Sequence, residues 1–134
     1  MGGTLPPGDG YVVESVPWSI DEELEALRRI DVGLMPMPDN AWTRGKSAYK
    51  ALQYMSAGIP VVADDVGVAS EVIGPEPGGY AVLGEDDWVE ALLALARDSE
   101  LRSRLGEHGR RRVEEGFSVT RWAPVVAKVL RGES

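Results

Sequence analysis

Arg44-Gly45-Lys46-Ser47 sets two cations, a glycine and a hydroxyl directly before a segment whose apolar residues Ala48, Leu52 and Met55 recur at helical spacing. The first turn of a helix carries N–H groups that no carbonyl of that helix can accept, and its dipole adds positive potential there. Anions are the natural occupants of such a place, so the stretch reads as a cradle for a diphosphate. A Walker A loop is a different object, because it needs a glycine five residues before Gly45 and that residue is Asn40. No Gly-x-Gly-x-x-Gly joins a strand to a helix, which removes the dinucleotide fingerprint as well.

Other polar groups have plainer readings. Asp64-Asp65 sits at a strand end, where adjacent side chains point apart, and no further acid or histidine is near in sequence, so no metal site is expected. The single histidine, His108, lies among arginines on a helical stretch and reads as a helix-face residue. Arg110-Arg111-Arg112 is answered by Glu107, Glu114 and Glu115, the pattern of a solvated face. With no cysteine there is no disulfide, zinc thiolate or cysteine nucleophile, which suits a reducing cytoplasm.

Elements must hold the Arg44–Ser47 loop in place, and the pattern supplies them in alternation. Tyr11 to Val16 reads as a short strand ended by Pro17, and Ser19-Ile20-Asp21-Glu22 as a capping box opening a helix with Leu24 and Leu27 on one face. Val32 to Pro38 is a second strand, residues 39–44 a long loop, and Gly45 or Lys46 to Ala57 a helix stopped by Gly58. Ile59 to Ala63 is a third strand without polar alternation, and Tyr80 to Leu83 a small edge strand after a short helix near Ala69–Ile73. The remainder is helical: Trp88, Leu92 and Leu95 share a face, Asp98-Ser99 caps the next helix, and Trp122, Val126 and Val129 form the expected core stripe of the last. The fold class expected is α/β, a three-layer Rossmann-like half-domain with a mostly parallel sheet of about four short strands flanked by helices. In such sheets ligands bind beyond the carboxyl ends of the strands, which selects the loops Val16-Pro17-Trp18, Met35 to Ser47 and Ala63 to Val68.

The chain has 134 residues and 43% hydrophobic content, enough for one domain over residues 11–134, with the Gly/Pro-rich residues 1–10 as a flexible lead-in. Its 22 acidic residues against 14 basic ones give a formal charge of -8, the wrong sign for a nonspecific grip on nucleic acid or anionic lipid. No apolar run approaches the roughly 20 residues that cross a bilayer, and the start lacks a basic region followed by an apolar core, so a cytoplasmic, soluble protein is expected.

The block from Thr43 to Ala63, a helix followed by Gly58-Ile59-Pro60-Val61-Val62, resembles the donor-site helix and following strand of retaining GT-B glycosyltransferases of the group 1, family 4-like kind. Ile30 to Pro36 is similar to the strand before that helix. Val66 to Ile73 with Gly79 to Val82 is similar to the loop and strand after it, and the likeness runs over roughly residues 11–130. The resemblance implies the donor-nucleotide part of a C-terminal GT-B domain, acting in an enzyme that transfers a sugar from a nucleotide-diphosphate donor to an acceptor, with no separate cofactor. It implies that Arg44, Gly45, Lys46, Ser47, Ala48 and Lys50 lie against the donor's diphosphate and sugar, that Gln53 faces the ribose, and that Val16, Pro17 and Trp18 lie near the base.

The common pattern carries two glutamates where this chain has Gly45 and Gln53, so the donor sugar loses a carboxylate while the Gln53 amide still offers two hydrogen bonds to a ribose diol. Further expectations follow from the resemblance. An N-terminal GT-B domain is the missing partner, and the chain alone is expected to be inactive. The exposed edge of the Tyr11–Val16 strand would pair with a second copy in a homodimer. Peripheral membrane contact stays open for the full enzyme. The alternative reading is a noncatalytic α/β folding or self-association module that binds no nucleotide.

Overall fold

A computed structural model describes residues 10–75 and 77–133. The lead-in expected over residues 1–10 lies, except for Gly10, outside the described residues. In chain order the elements are α1 (Ile20–Arg29), β1 (Gly33–Met35), α2 (Ala41–Arg44), α3 (Tyr49–Ser56), β2 (Val61–Asp64), α4 (Ala69–Ile73), β3 (Gly79–Val82), α5 (Glu85–Arg97), α6 (Ser99–Gly116) and α7 (Val119–Leu130). The strands form one parallel sheet in the order β1-β2-β3, with Gly33 opposite Val61 and Val61 opposite Gly79.

Because side chains alternate across a strand, β2 feeds two cores. Val61 and Ala63 join Met35, Ala51, Met55, Ala69 and Ile73 under α3 and α4, while Val62 joins Val82, Ala91, Leu95 and Leu105 under α5 and α6. This is the three-layer arrangement that an unalternating apolar strand demands. Helix α6 reaches both cores, and two glycines let it come close. A Cβ on Gly106 would overlap the carbonyl of Gly58, and one on Gly109 would stand 3.1 Å from the Gly78 Cα. Gly58 and Gly78 lie just before β2 and β3, so α6 passes under the amino ends of these strands.

Three expectations are corrected. Tyr11–Val16 makes no strand: residues 11–19 have no regular structure, Val12 is 96% exposed, and the sheet has three strands, all parallel, rather than about four. Glu14 of this segment forms an exposed ion pair with Arg29 instead of a ladder bond to the edge of β1. The edge invoked for a homodimer is therefore absent. The stripe Trp122, Val126, Val129 on α7 does not enter a core, since no residue of that helix is buried. Arg112 belongs to no solvated face: its Nε and one amino group donate to the carbonyls of Val72 (2.7 Å) and Glu71 (2.6 Å), capping the end of α4.

Candidate anion-binding site

Two caps shape the chain between β1 and α3. Asn40 Oδ1 accepts from the amides of Trp42 and Thr43, and Thr43 Oγ1 accepts from the Asn40 amide, a reciprocal box that makes a one-turn helix where a plain loop was expected. Its signal, Asn40-x-x-Thr43, stands in the sequence. Thr43 also donates to the Pro38 carbonyl and is buried, which fixes α2 to the strand end. The next helix begins later than periodicity predicts, at Tyr49, because Ala48 takes the left-handed conformation with φ 52° and ψ 34° while buried. An L residue with a side chain resists that region, so the turn is held by its surroundings at a cost of about 1 kcal/mol.

The consequence is a short segment of backbone donors left without a partner among the described residues. Lys46 N donates to Thr43 O, and the Ala48 carbonyl accepts from Ala51 and Leu52. The amides of Ser47, Ala48, Tyr49 and Lys50 donate to nothing among the described residues. Strand end and helix start enclose a cavity of about 650 Å³ lined by Leu34, Met35, Pro36 and Met37 on one side and by Gly45 through Lys50 on the other. Five of the residues expected at a diphosphate, Gly45, Lys46, Ser47, Ala48 and Lys50, thus surround one space. Lys46, Ser47 and Lys50 are exposed, and among the described residues no side-chain carboxylate lines the cavity.

The remaining expected residues go elsewhere. Arg44 is locked in a two-pronged ion pair with Asp39, Nε to Oδ1 at 2.6 Å and an amino group to Oδ2 at 2.9 Å. That hydrogen bond holds the Asp39 carboxyl below its usual range and raises the Arg44 guanidinium. Gln53 faces α1, where its Nε2 donates to Glu23 Oε1 at 2.9 Å. Val16, Pro17 and Trp18 do not line the cavity, and Trp18 is 83% exposed. Tyr49, 65% exposed, is a lining residue to which the sequence reading gave no role, whereas Met37 falls in the Met35–Ser47 loop selected there. The signal for Tyr49 was position: it opens the helix, where the carboxyl-end rule puts ligands.

Neighbouring segments brace this wall. Asp64, at the end of β2, accepts from the Met37 amide through Oδ2 at 2.6 Å and from the Trp88 indole through Oδ1 at 2.7 Å. Both carboxylate oxygens are thereby used to tie the post-β1 segment to α5. Gly67, at φ +64°, presses against α2 so closely that a Cβ would lie 2.7 Å from the Arg44 carbonyl oxygen.

Comparison with known proteins gives a consistent answer. Residues 10–98 match the family described as glycosyl transferases group 1. An MMP alpha-(1->4)-mannosyltransferase from Mycolicibacterium hassiacum is 37% identical over 116 residues, a match covering 82% of this chain and 26% of the relative. Sucrose-phosphate synthase from Thermosynechococcus elongatus has a similar structure, with a TM-score of 0.64 at 22% identity over 80% of this chain and 26% of that one. The chain therefore spans about a quarter of the length of either protein.

Proposed function

The chain belongs to the glycosyl transferases of group 1, and from that premise we propose that it forms the donor-binding part of an enzyme that transfers a sugar from a nucleotide diphosphate with retention. The cavity at the start of α3 receives the diphosphate. The carrying observation is the conjunction, among the described residues, of unbonded amides at Ser47 to Lys50, the exposed side chains of Lys46 and Lys50, and the lack of any carboxylate in the lining. A dianion placed there gains backbone donors, a helix N-terminus and two cations, without losing a hydrogen bond that the fold already uses.

Gly45 leaves open space where the common family pattern holds a carboxylate, its nearest neighbour for a Cβ being the Trp42 carbonyl at 3.6 Å. Sugar hydroxyls then find backbone and Ser47 rather than an acid. Gln53 reaches a ribose only by releasing Glu23, so its contribution comes with movement of α1. The acceptor and the rest of the catalytic apparatus are assigned to an N-terminal GT-B domain, so this chain by itself binds donor without turning it over.

The test is calorimetry of the folded chain with UDP, GDP and ADP. Saturable binding of one nucleoside diphosphate, weakened in Lys46→Ala, supports the reading. Absence of heat with all three at millimolar ligand, from a sample with native circular dichroism, favours the noncatalytic module.

A further inference from the structure

Charge is divided unevenly along the chain. Residues 97–134 carry nine Lys and Arg against six Asp and Glu, a net +3, while residues 1–96 carry five against sixteen, a net -11. Within the positive part, His108, Arg111, Arg112 and Glu115 follow one another at i, i+3, i+4 and i+7 on α6 and so share a face. The chain then turns at Phe117 and brings Arg121, in the first turn of α7, to the same place. These side chains line a cleft of about 370 Å³ with Pro75, at the amino end of the sheet and thus at the opposite end from the cavity by β1.

Three of the four basic groups in this cleft have no side-chain hydrogen-bond or ion-pair partner among the described residues. Among the described residues, Arg111, Arg121 and His108 form no side-chain hydrogen bond or ion pair, although Arg110 beside them pairs with Glu114. Arg121 has only the Trp122 ring, 5.8 Å away. Arg112 is held rigidly by the α4 carbonyls and lies over Phe117, which fixes the cleft floor without cancelling its charge. Among the described residues Glu115 is the single acid in the lining. A protein of net charge -8 that gathers unpaired guanidinium groups around one polar concavity has built a local basin of positive potential. Arginine forks match phosphate oxygens in pairs, and the space suits one phosphate group with a small substituent.

We propose that the cleft between α6 and the start of α7 is a second anion site, which takes the phosphate of a phosphomonoester. It is independent of the donor cavity, shares no residue with it and would stand if that reading fell. The probe is inorganic phosphate, titrated into the whole chain while the imidazole resonances of His108 are followed by NMR, with sodium chloride at matched ionic strength as the reference. Expected is a saturable shift with phosphate that chloride does not produce, weakened at least about tenfold in Arg111→Gln and in Arg121→Gln, each losing one charge-assisted hydrogen bond. Neither side chain holds another in place, so both variants should keep the native unfolding midpoint, which is measured alongside. Co-sedimentation with phosphatidate vesicles separates a lipid headgroup from a free phosphate as the source. A shift that chloride reproduces, or that both variants leave unchanged, overturns the site.

Discussion

The segments that follow β1 and β2 leave neighbouring parallel strands at the same end of the sheet, and they use their polar groups in opposite ways. At the end of β2 the contacts are internal: Asp64 accepts from the Met37 amide and the Trp88 indole with its two oxygens, and Gly67 fits against the Arg44 backbone. After β1 polar groups are left open, with the unbonded amides of Ser47 to Lys50 and the side chains of Lys46 and Lys50 beside a cavity around a buried alanine in left-handed conformation. One segment is the brace and the other the proposed binding surface. Strain and unspent donors on the second are sustained by satisfied bonds on the first.

That contrast is broken most severely at Gly67. Valine there meets both an unfavourable φ and the Arg44 carbonyl oxygen, so Gly67→Val should lower stability by about 3 kcal/mol in urea unfolding. A loss below about 0.5 kcal/mol would show that the brace is not tight. Asp64→Ala leaves the Met37 amide and the Trp88 indole without their acceptor and should cost about 2 kcal/mol. It should also blunt nucleotide binding, because the cavity wall at Met37 loses its tie.

Lys46→Ala acts on the other segment only. Nucleoside diphosphate affinity should fall about tenfold in calorimetry, while the unfolding midpoint stays where it was. A matched loss of stability would mean that Lys46 is structural. The smallest effect concerns Tyr54, half-buried over Gly33, whose phenol is raised above its ordinary 10.0 by burial and by the nearby Glu23 charge. The unfolded chain then loses this proton first, so the group's contribution is intact below pH 10.0 and is lost as pH climbs through the higher folded value. Comparing wild type with Tyr54→Phe in unfolding scans at alkaline pH should show the variant less sensitive in that window.

Much of the centre was legible in the sequence because local signals and burial agreed there. Val61-Val62-Ala63 declared a strand covered on both faces, Gly58 stopped α3, and Ser19, Asp98 and Ser118 each cap a helix as read. Val12 and Val126 were misread because an apolar pattern states what a segment can bury but not whether a neighbour is there to cover it. Around the cavity, Gly45, Lys46 and Ser47 were singled out from residue types, since cations and the open amides of a helix start are local properties, and Ala48 and Lys50 from the family resemblance. The diversion of Arg44 to Asp39 and of Gln53 to Glu23 was hidden for the opposite reason. Asp39 and Arg44 meet only once the Asn40–Thr43 box has formed, and Gln53 and Glu23 lie 30 residues apart. The left-handed turn at Ala48 carries no sequence mark, because alanine is a residue that normally avoids it.

The central claim is that the α3 start binds a nucleotide diphosphate through its backbone, and amide mapping tests it directly. Titrating UDP, GDP and ADP into the isotopically labelled chain should move the backbone resonances of Ser47, Ala48, Tyr49 and Lys50 more than any others, with one nucleotide preferred. Shifts centred elsewhere, or none in a folded sample at millimolar nucleotide, would contradict it.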